Sequence, residues 1–134
     1  MNRKVTFVLC AGAVLVLTLV TLGSYQGQTN GLSGKWSLTV LWEDGSRGTP
    51  TLQLEQREQK LSGTYSGGLG AYPIVGSVIG NKIRIEVQLS EEFRKANPKL
   101  SSLEYEGETD KKETIVKGTV VRPNMKGTFT GVRK

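Results

Sequence analysis

Few residues in this chain are able to carry out chemistry. The chain has 134 residues, contains no histidine, and has a single cysteine, Cys10, inside an apolar run near the N-terminus. Beyond that run the sequence therefore offers no disulfide, no thiolate nucleophile and no Cys/His metal site. The inventory excludes most hydrolase and redox mechanisms, and it predicts neither a metal nor a cofactor.

One group of carboxylates deserves a test as a catalytic site. Glu104, Glu106 and Glu108 alternate, so in a strand they share one face. Retaining glycosidases need two carboxylates about 5–5.5 Å apart in distinct environments, and residues two apart on a strand lie about 6–7 Å apart. Spacing alone neither creates nor forbids a site. A solvated outer face is the simpler interpretation, so we expect no catalytic residues and no enzyme.

The strand that organises the chain is Gly34–Trp42. Within it Trp36, Leu38, Val40 and Trp42 recur at every second position, so all four side chains project from one face. Burying each large apolar side chain stabilises a fold by about 1.5–3 kcal/mol. This face must therefore be buried, which predicts the first strand of an all-β core.

Further strands follow at short intervals. Alternation and turn residues predict them over 51–57, 61–66, 72–79, 82–89, 103–109, 114–121 and 126–133, with residues 67–70 as a mobile loop. Residues 90–98 break the pattern and predict a short helical insert docked through Phe93. Eight strands with short links predict an all-β, eight-stranded up-and-down antiparallel barrel with one short helical insert, with a two-sheet sandwich as the alternative. A barrel of this size is either filled by side chains or holds one small ligand.

Glycines recur inside the predicted strands. Gly63, Gly76, Gly107, Gly118 and Gly127 each precede a polar residue. Glycine weakens a strand unless a close approach, a bulge or sharp curvature requires it. The recurrence favours strongly bent strands in a small closed barrel over coincidence.

The N-terminus predicts export. Residues 1–24 combine Arg3 and Lys4 with an apolar run over 5–22, which predicts a leader helix that is either a cleaved signal peptide or a membrane anchor. Cys10 lacks the preceding small residues of a lipidation site. We expect a flexible tether over 25–33, a barrel domain over 34–134, and a periplasmic, secreted or anchored protein. Membrane contact is then limited to an uncleaved leader.

The charge does not indicate a nucleic-acid partner. The net charge is +6, and without Arg3 and Lys4 it falls to +4. The basic residues are scattered rather than clustered, whereas nucleic-acid-binding surfaces concentrate them. We expect a solvated, weakly cationic surface.

Two short motifs resemble the calycin group, which comprises lipocalins, avidins and the small periplasmic inhibitors of bacterial metalloproteases. They are Gly34-x-Trp36 on the first strand and Leu61-Ser62-Gly63-Thr64-Tyr65 on the third. The resemblance implies that a basic side chain of the last strand, here Arg133, covers Trp36 at the barrel floor. The chain departs from avidins in its few aromatic residues, and from the inhibitors in lacking their disulfide. It is also similar to small Gly-x-Trp β domains of exported bacterial proteins, which implies no activity.

Two functions stay open. The first is an exported, non-enzymatic binding module that holds a small apolar or amphipathic ligand, with Trp42, Tyr65 and Phe93 at the barrel mouth and the loop or insert as a lid. The second is a protein-interaction or inhibitor domain with a filled core. It would act through its outer surface, with contacts at Arg94, Lys95 and Lys99.

Overall fold

The computed structural model describes residues 31–134 of the chain. The predicted leader over 1–24 and residues 25–30 of the predicted tether lie outside the described residues. None of the helices between residues 31 and 134 has the length and apolar character needed to span a bilayer.

Nine strands and two short helical segments make up the described residues. The strands are β1 (Gly34–Trp42), β2 (Arg47–Gly48), β3 (Thr51–Arg57), β4 (Lys60–Gly67), β5 (Gly70–Ile79), β6 (Lys82–Val87), β7 (Glu104–Thr109), β8 (Ile115–Arg122) and β9 (Met125–Arg133). Between β6 and β7 lie the helix α1 (Glu91–Ala96) and a 3-10 turn, Pro98–Leu100.

The sheet closes into a barrel. Consecutive strands pair antiparallel from β3 to β9, and β1 pairs with β3 on one side and with β9 on the other. The closing register runs from Gly127 opposite Trp42 to Arg133 opposite Trp36. The predicted eight-stranded up-and-down antiparallel barrel is confirmed. The sandwich alternative is wrong, because the first and last long strands pair with each other.

A proline splits the strand that follows β1. The two-residue β2 pairs with β1 at Val40 and Leu41, and β3 pairs with the start of β1. Between them Pro50 is buried, and its carbonyl accepts a hydrogen bond from the Leu38 N–H at 2.9 Å. Proline has no N–H to add to the ladder, so regular pairing stops there and β2 stands apart from the barrel wall.

The inward faces carry the predicted core. Trp36, Leu38 and Val40 are buried, and Trp42 is half-buried at the other end of β1. The strict alternation in β6 also holds, because its apolar positions face the interior and its charged positions face solvent. The expected inward positions are confirmed.

The five recurring glycines lie where neighbouring strands approach closely. A Cβ atom added at these positions would lie between 1.8 and 2.6 Å from a carbonyl oxygen of the adjacent strand. The residues are Gly63, Gly76, Gly107, Gly118 and Gly127. Gly63 also has φ +145°, a conformation that L side chains rarely adopt. Close approach in a tightly curved wall therefore explains the repeat.

Trp36 and Arg133 close one end of the barrel. The Arg133 guanidinium carbon lies 4.7 Å from the centroid of the Trp36 ring, the arrangement that the resemblance implies. The guanidinium also donates to the carbonyls of Ser33 at 2.6 Å and Glu113 at 2.7 Å. One side chain thus joins β9, the segment before β1 and the β7–β8 turn.

The barrel extends further toward the N-terminus than the predicted boundary at residue 34. Leu32 is fully buried, and its carbonyl accepts a hydrogen bond from Trp36 Nε1 at 2.8 Å. The Ser33 hydroxyl accepts from the Gln56 N–H at 2.9 Å. Residues 32 and 33, which the sequence interpretation gave to the tether, are therefore packed into the closed end.

The insert lies at the opposite, open end. Ser90 caps α1, because its hydroxyl accepts a hydrogen bond from the Phe93 N–H at 3.0 Å. Phe93 docks the helix by packing edge-on against Tyr72, with ring centroids 5.7 Å apart. The predicted capped and docked insert is present in the structure.

The expected mobile loop over 67–70 is a tight turn instead. Gly67 pairs with Gly70, which leaves only Gly68 and Leu69 outside the ladder. Leu69 is half-buried against the core. Gly67 and Gly70, which looked like flexible loop residues, are strand ends because they pair with each other. Gly70 has φ +118° and lies against the Tyr72 ring.

Candidate ligand-binding site

A cavity of about 140 Å³ lies at the open end. The end of β1, the 68–69 turn and the segment between the 3-10 turn and β7 enclose it. Aliphatic and aromatic side chains form most of its wall. They are Val40, Trp42, Pro50, Leu69, Leu100 and Leu103.

Below this cavity the barrel is filled. The space left among Trp36, Leu52, Ile85, Phe129 and their neighbours is about 10 Å³. Tyr105 lies between the two regions and packs edge-on against Phe129, with centroids 5.1 Å apart. Within residues 31–134 the barrel is therefore filled in its closed half and hollow at the mouth.

Two buried tyrosines bring polar groups to the cavity. Tyr105 is 1% exposed and Tyr65 is 4% exposed. Within residues 31–134 neither phenol hydroxyl has a hydrogen-bond partner from the protein. Burial raises the pKa of both phenols, and the neighbouring phenol of Tyr65 raises the pKa of Tyr105 further. Both are neutral at physiological pH and able to donate a hydrogen bond to whatever occupies the cavity.

A guanidinium lines the rim. The Arg122 guanidinium carbon lies 4.3 Å from the centroid of the Trp42 ring, and its Nη2 donates to the Met125 sulfur at 2.9 Å. The register of the β8–β9 hairpin, which pairs Arg122 with Met125, sets this position. The site thus combines a mostly apolar wall with the phenols of Tyr65 and Tyr105, Ser102 and one cation.

The Asp44 carboxylate, which the charge of Arg122 influences, is engaged in its own turn. Asp44 accepts hydrogen bonds from the Ser46 hydroxyl at 2.6 Å and the Ser46 N–H at 2.9 Å. These bonds, and to a lesser extent the charge of Arg122, lower the pKa of Asp44. No described carboxylate lies within ion-pair distance of Arg122, so the guanidinium keeps donors available at the rim.

The structure places two of the three predicted ligand residues in the cavity wall. Trp42 and Tyr65 line the cavity together. Phe93 does not line it, because the helix turns its ring onto Tyr72. The sequence interpretation missed Tyr105 and Arg122. Tyr105 is the inward neighbour of the glutamates on β7, a position that the strand alternation could have identified.

The predicted partner contacts lie on the insert. Arg94, Lys95 and Lys99 are all exposed. Lys95 pairs with Glu91 at 3.4 Å, one helical turn away. None of the three contributes to the cavity wall.

The three alternating glutamates lie on the outer wall. Arg84 pairs with Glu104 and with Glu106, each at 3.4 Å, and all three side chains are well exposed. Within the described part of the chain, no three acidic residues come close enough together to hold a metal ion. This wall has no geometry that singles out one carboxylate as an acid and another as a base.

A larger depression on the same wall is a weaker candidate. It measures about 610 Å³ and lies where Gly107 and Gly118 bring β7 and β8 together. Lys82, Lys117 and Glu108 lie along it. The depression is wide open to solvent and has charges of both signs, so it cannot desolvate a ligand as the mouth cavity can.

Solved structures share the fold. A redesigned β-barrel has a TM-score of 0.56 and 20% identity, covering 77% of this chain and 91% of its own. A de novo designed fluorescence-activating β-barrel has a TM-score of 0.54 and 16% identity, covering 78% and 94%. A redesigned β-barrel bound to DFHBI has a TM-score of 0.52 and 17% identity, covering 77% and 98%. No protein-family model and no curated protein matches the chain. At these identities the likeness shows the closed eight-stranded barrel and nothing finer.

Proposed function

We propose that the protein is a non-enzymatic binding module that holds a small amphipathic molecule in the mouth cavity. The observation that carries the proposal is the composition of this cavity, in which Tyr65, Ser102, Tyr105 and Arg122 interrupt a mostly apolar wall. Few polar groups in an apolar pocket are typical of small-molecule sites. The designed barrel that binds DFHBI supports the idea that a barrel of this size accommodates a small ligand.

The volume sets the size of the ligand. At about 140 Å³ the cavity is smaller than the ~300 Å³ or more of drug-sized sites. An apolar cavity of about 150 Å³ takes up benzene. The ligand therefore buries one ring or a short chain and leaves the rest of its surface at the rim.

Native mass spectrometry of the protein purified from its own host tests the proposal. We expect a stoichiometric small-molecule mass that is lost on denaturation. Leu69→Trp fills the cavity from the 68–69 turn and should abolish the excess. Val75→Trp, at a position 48% exposed on the outer wall, should retain it. A bare wild-type mass, together with no thermal shift from any one-ring apolar probe, would refute the proposal.

A second candidate is a protein-interaction or inhibitor domain that acts through the insert. The observation in its favour is the exposure of Arg94, Lys95 and Lys99 on one short segment. Replacing all three by alanine should weaken capture of an acidic partner and leave the melting temperature unchanged. Loss of folding in the triple variant would argue against this role.

Export is part of the proposal. Its support is the basic start and the apolar run over residues 5–22. N-terminal sequencing of the protein from its host distinguishes a cleaved leader from a retained anchor. Recovery of the intact chain from the cytoplasm would contradict export.

A further inference from the structure

The geometry at the mouth points to a ligand class: a one-ring aromatic monocarboxylate, with its ring in the cavity and its carboxylate on Arg122. This inference rests on the proposed function and sharpens it. It follows from the size of the cavity, the position of the guanidinium and the two buried hydroxyls.

The guanidinium is placed as a carboxylate receptor. Trp42 supports it on one side, and the only protein acceptor it contacts among residues 31–134 is the Met125 sulfur. A thioether is a weak acceptor, whereas guanidinium has five donors in a planar fork that matches a carboxylate. Because Arg122 is half-buried, a carboxylate at the rim meets it partly shielded from water.

Asp44 does not fill this role. Its carboxylate oxygen is bound by Ser46 within the turn after β1, and it lies beyond ion-pair distance of Arg122. The charge of Arg122 lowers the pKa of Asp44 less than the hydrogen bonds from Ser46 do. The positive charge at the mouth is therefore left for a ligand anion.

The two tyrosines line the cavity at different depths. Tyr65 leans toward the 67–70 turn, where an added Cβ at Gly67 would lie 2.7 Å from its hydroxyl oxygen. Tyr105 lies deeper, at the boundary with the filled core. Both residues line the cavity, and their hydroxyls have no protein partner among residues 31–134, so a ring hydroxyl on the ligand would give them one. A hydroxylated aromatic acid therefore suits the site better than an unsubstituted one.

Isothermal titration calorimetry of the full-length protein tests the inference with 4-hydroxyphenylacetate and its neutral amide. The two probes share a ring and a hydroxyl and differ in charge. We expect the acid to bind at least about tenfold more tightly, since a charge-assisted hydrogen bond is worth about 1.5–3 kcal/mol. Indole serves as an uncharged probe of the cavity itself.

Four variants assign the effect to individual side chains. Arg122→Gln should remove the preference for the acid and leave amide binding within about twofold. Arg84→Gln removes the same charge from the outer wall and should keep the preference. Should Arg122→Gln fail to fold, Arg122→Lys keeps the charge and should reduce the preference, because ammonium lacks the planar fork. Tyr105→Phe should weaken acid and amide equally.

The outcomes separate the two proposals. Equal binding of acid and amide, or a preference that persists in Arg122→Gln, overturns the carboxylate inference. Binding of indole without binding of the acid overturns the inference and leaves the binding module standing. If none of the three probes binds and the native mass shows no bound small molecule, both the carboxylate inference and the proposed function are refuted.

Discussion

Replacing Gly118 by alanine should strongly destabilise the barrel. The new Cβ would lie 1.9 Å from the Glu106 carbonyl oxygen, while real Cβ contacts essentially never fall below 3.0 Å. The β7 and β8 backbones must therefore separate by at least 1.1 Å at this point, the difference between these two distances. Gly118 pairs with Gly107 in the middle of the six-pair β7–β8 register, so the strand ends cannot absorb the shift.

The size of the effect follows from the ladder. A bond of about 2.9 Å that lengthens by this amount no longer counts as a hydrogen bond. Each lost ladder bond contributes about 1 kcal/mol. Two or three such bonds, together with the strain of overpacking, give a loss of about 3 kcal/mol. A domain of this size has a free energy of unfolding of about 5–15 kcal/mol, so the variant keeps its fold with a much reduced margin.

Urea unfolding followed by tryptophan emission measures the change, because Trp36 is buried in the closed end. Gly68→Ala is the matched control, since a Cβ at Gly68 has no neighbour within 4 Å. The control should change the free energy of unfolding by less than about 1 kcal/mol. Equal midpoints for the two variants would refute the close-approach explanation of the glycine repeat.

Three further predictions concern the stability of the closed end and the dependence of stability on pH in acid. Leu32→Ala should lower the free energy of unfolding by about 2–4 kcal/mol in urea titration, because Leu32 is fully buried. A loss below about 0.5 kcal/mol would mean that residues 32 and 33 are not part of the barrel. Arg133→Gln should lower the free energy of unfolding by about 2 kcal/mol, because the variant loses the contact with the Trp36 ring and the hydrogen bonds to two carbonyls. In the same assay Arg84→Gln, which breaks an exposed ion pair, should lower it by less than about 0.5 kcal/mol. The backbone N–H of Ile115 is the largest cause that lowers the pKa of Asp110 in the folded protein. This carboxylate therefore stabilises the fold above its unfolded pKa of about 3.9 and loses that effect as the pH falls through the lower folded value. Asp110→Asn should make thermal stability less dependent on pH below about 4, and an unchanged pH profile would contradict this assignment.

The alternation of side chains made the fold predictable from sequence. A strand such as β6, with apolar residues at every second position, has only one face that can be buried, so its orientation follows directly. The in-strand glycines added the requirement for curvature. The short strand β2 was not predicted, because a proline after a turn, here Pro50, is equally compatible with a strand that starts late and with one that is interrupted.

The candidate site was only partly predictable. Trp42 and Tyr65 face inward by periodicity and line the same cavity, and their role in binding stays a prediction. Phe93 lies outside the cavity wall because its contact with Tyr72 depends on how the insert folds back over the barrel, which no local pattern specifies. Arg122 was missed because its position over Trp42 depends on the pairing of β8 with β9 and of β9 with β1.

Closure through β1 and β9 has a consequence for synthesis of the protein. The pairing of Trp36 with Arg133 joins residues at opposite ends of the described domain, so the wall stays open until the last strand has been made. Until then β1 and β8 each present an unpaired edge, which other chains can extend. A premature stop before β9 would therefore yield a chain prone to aggregate, rather than a smaller stable domain.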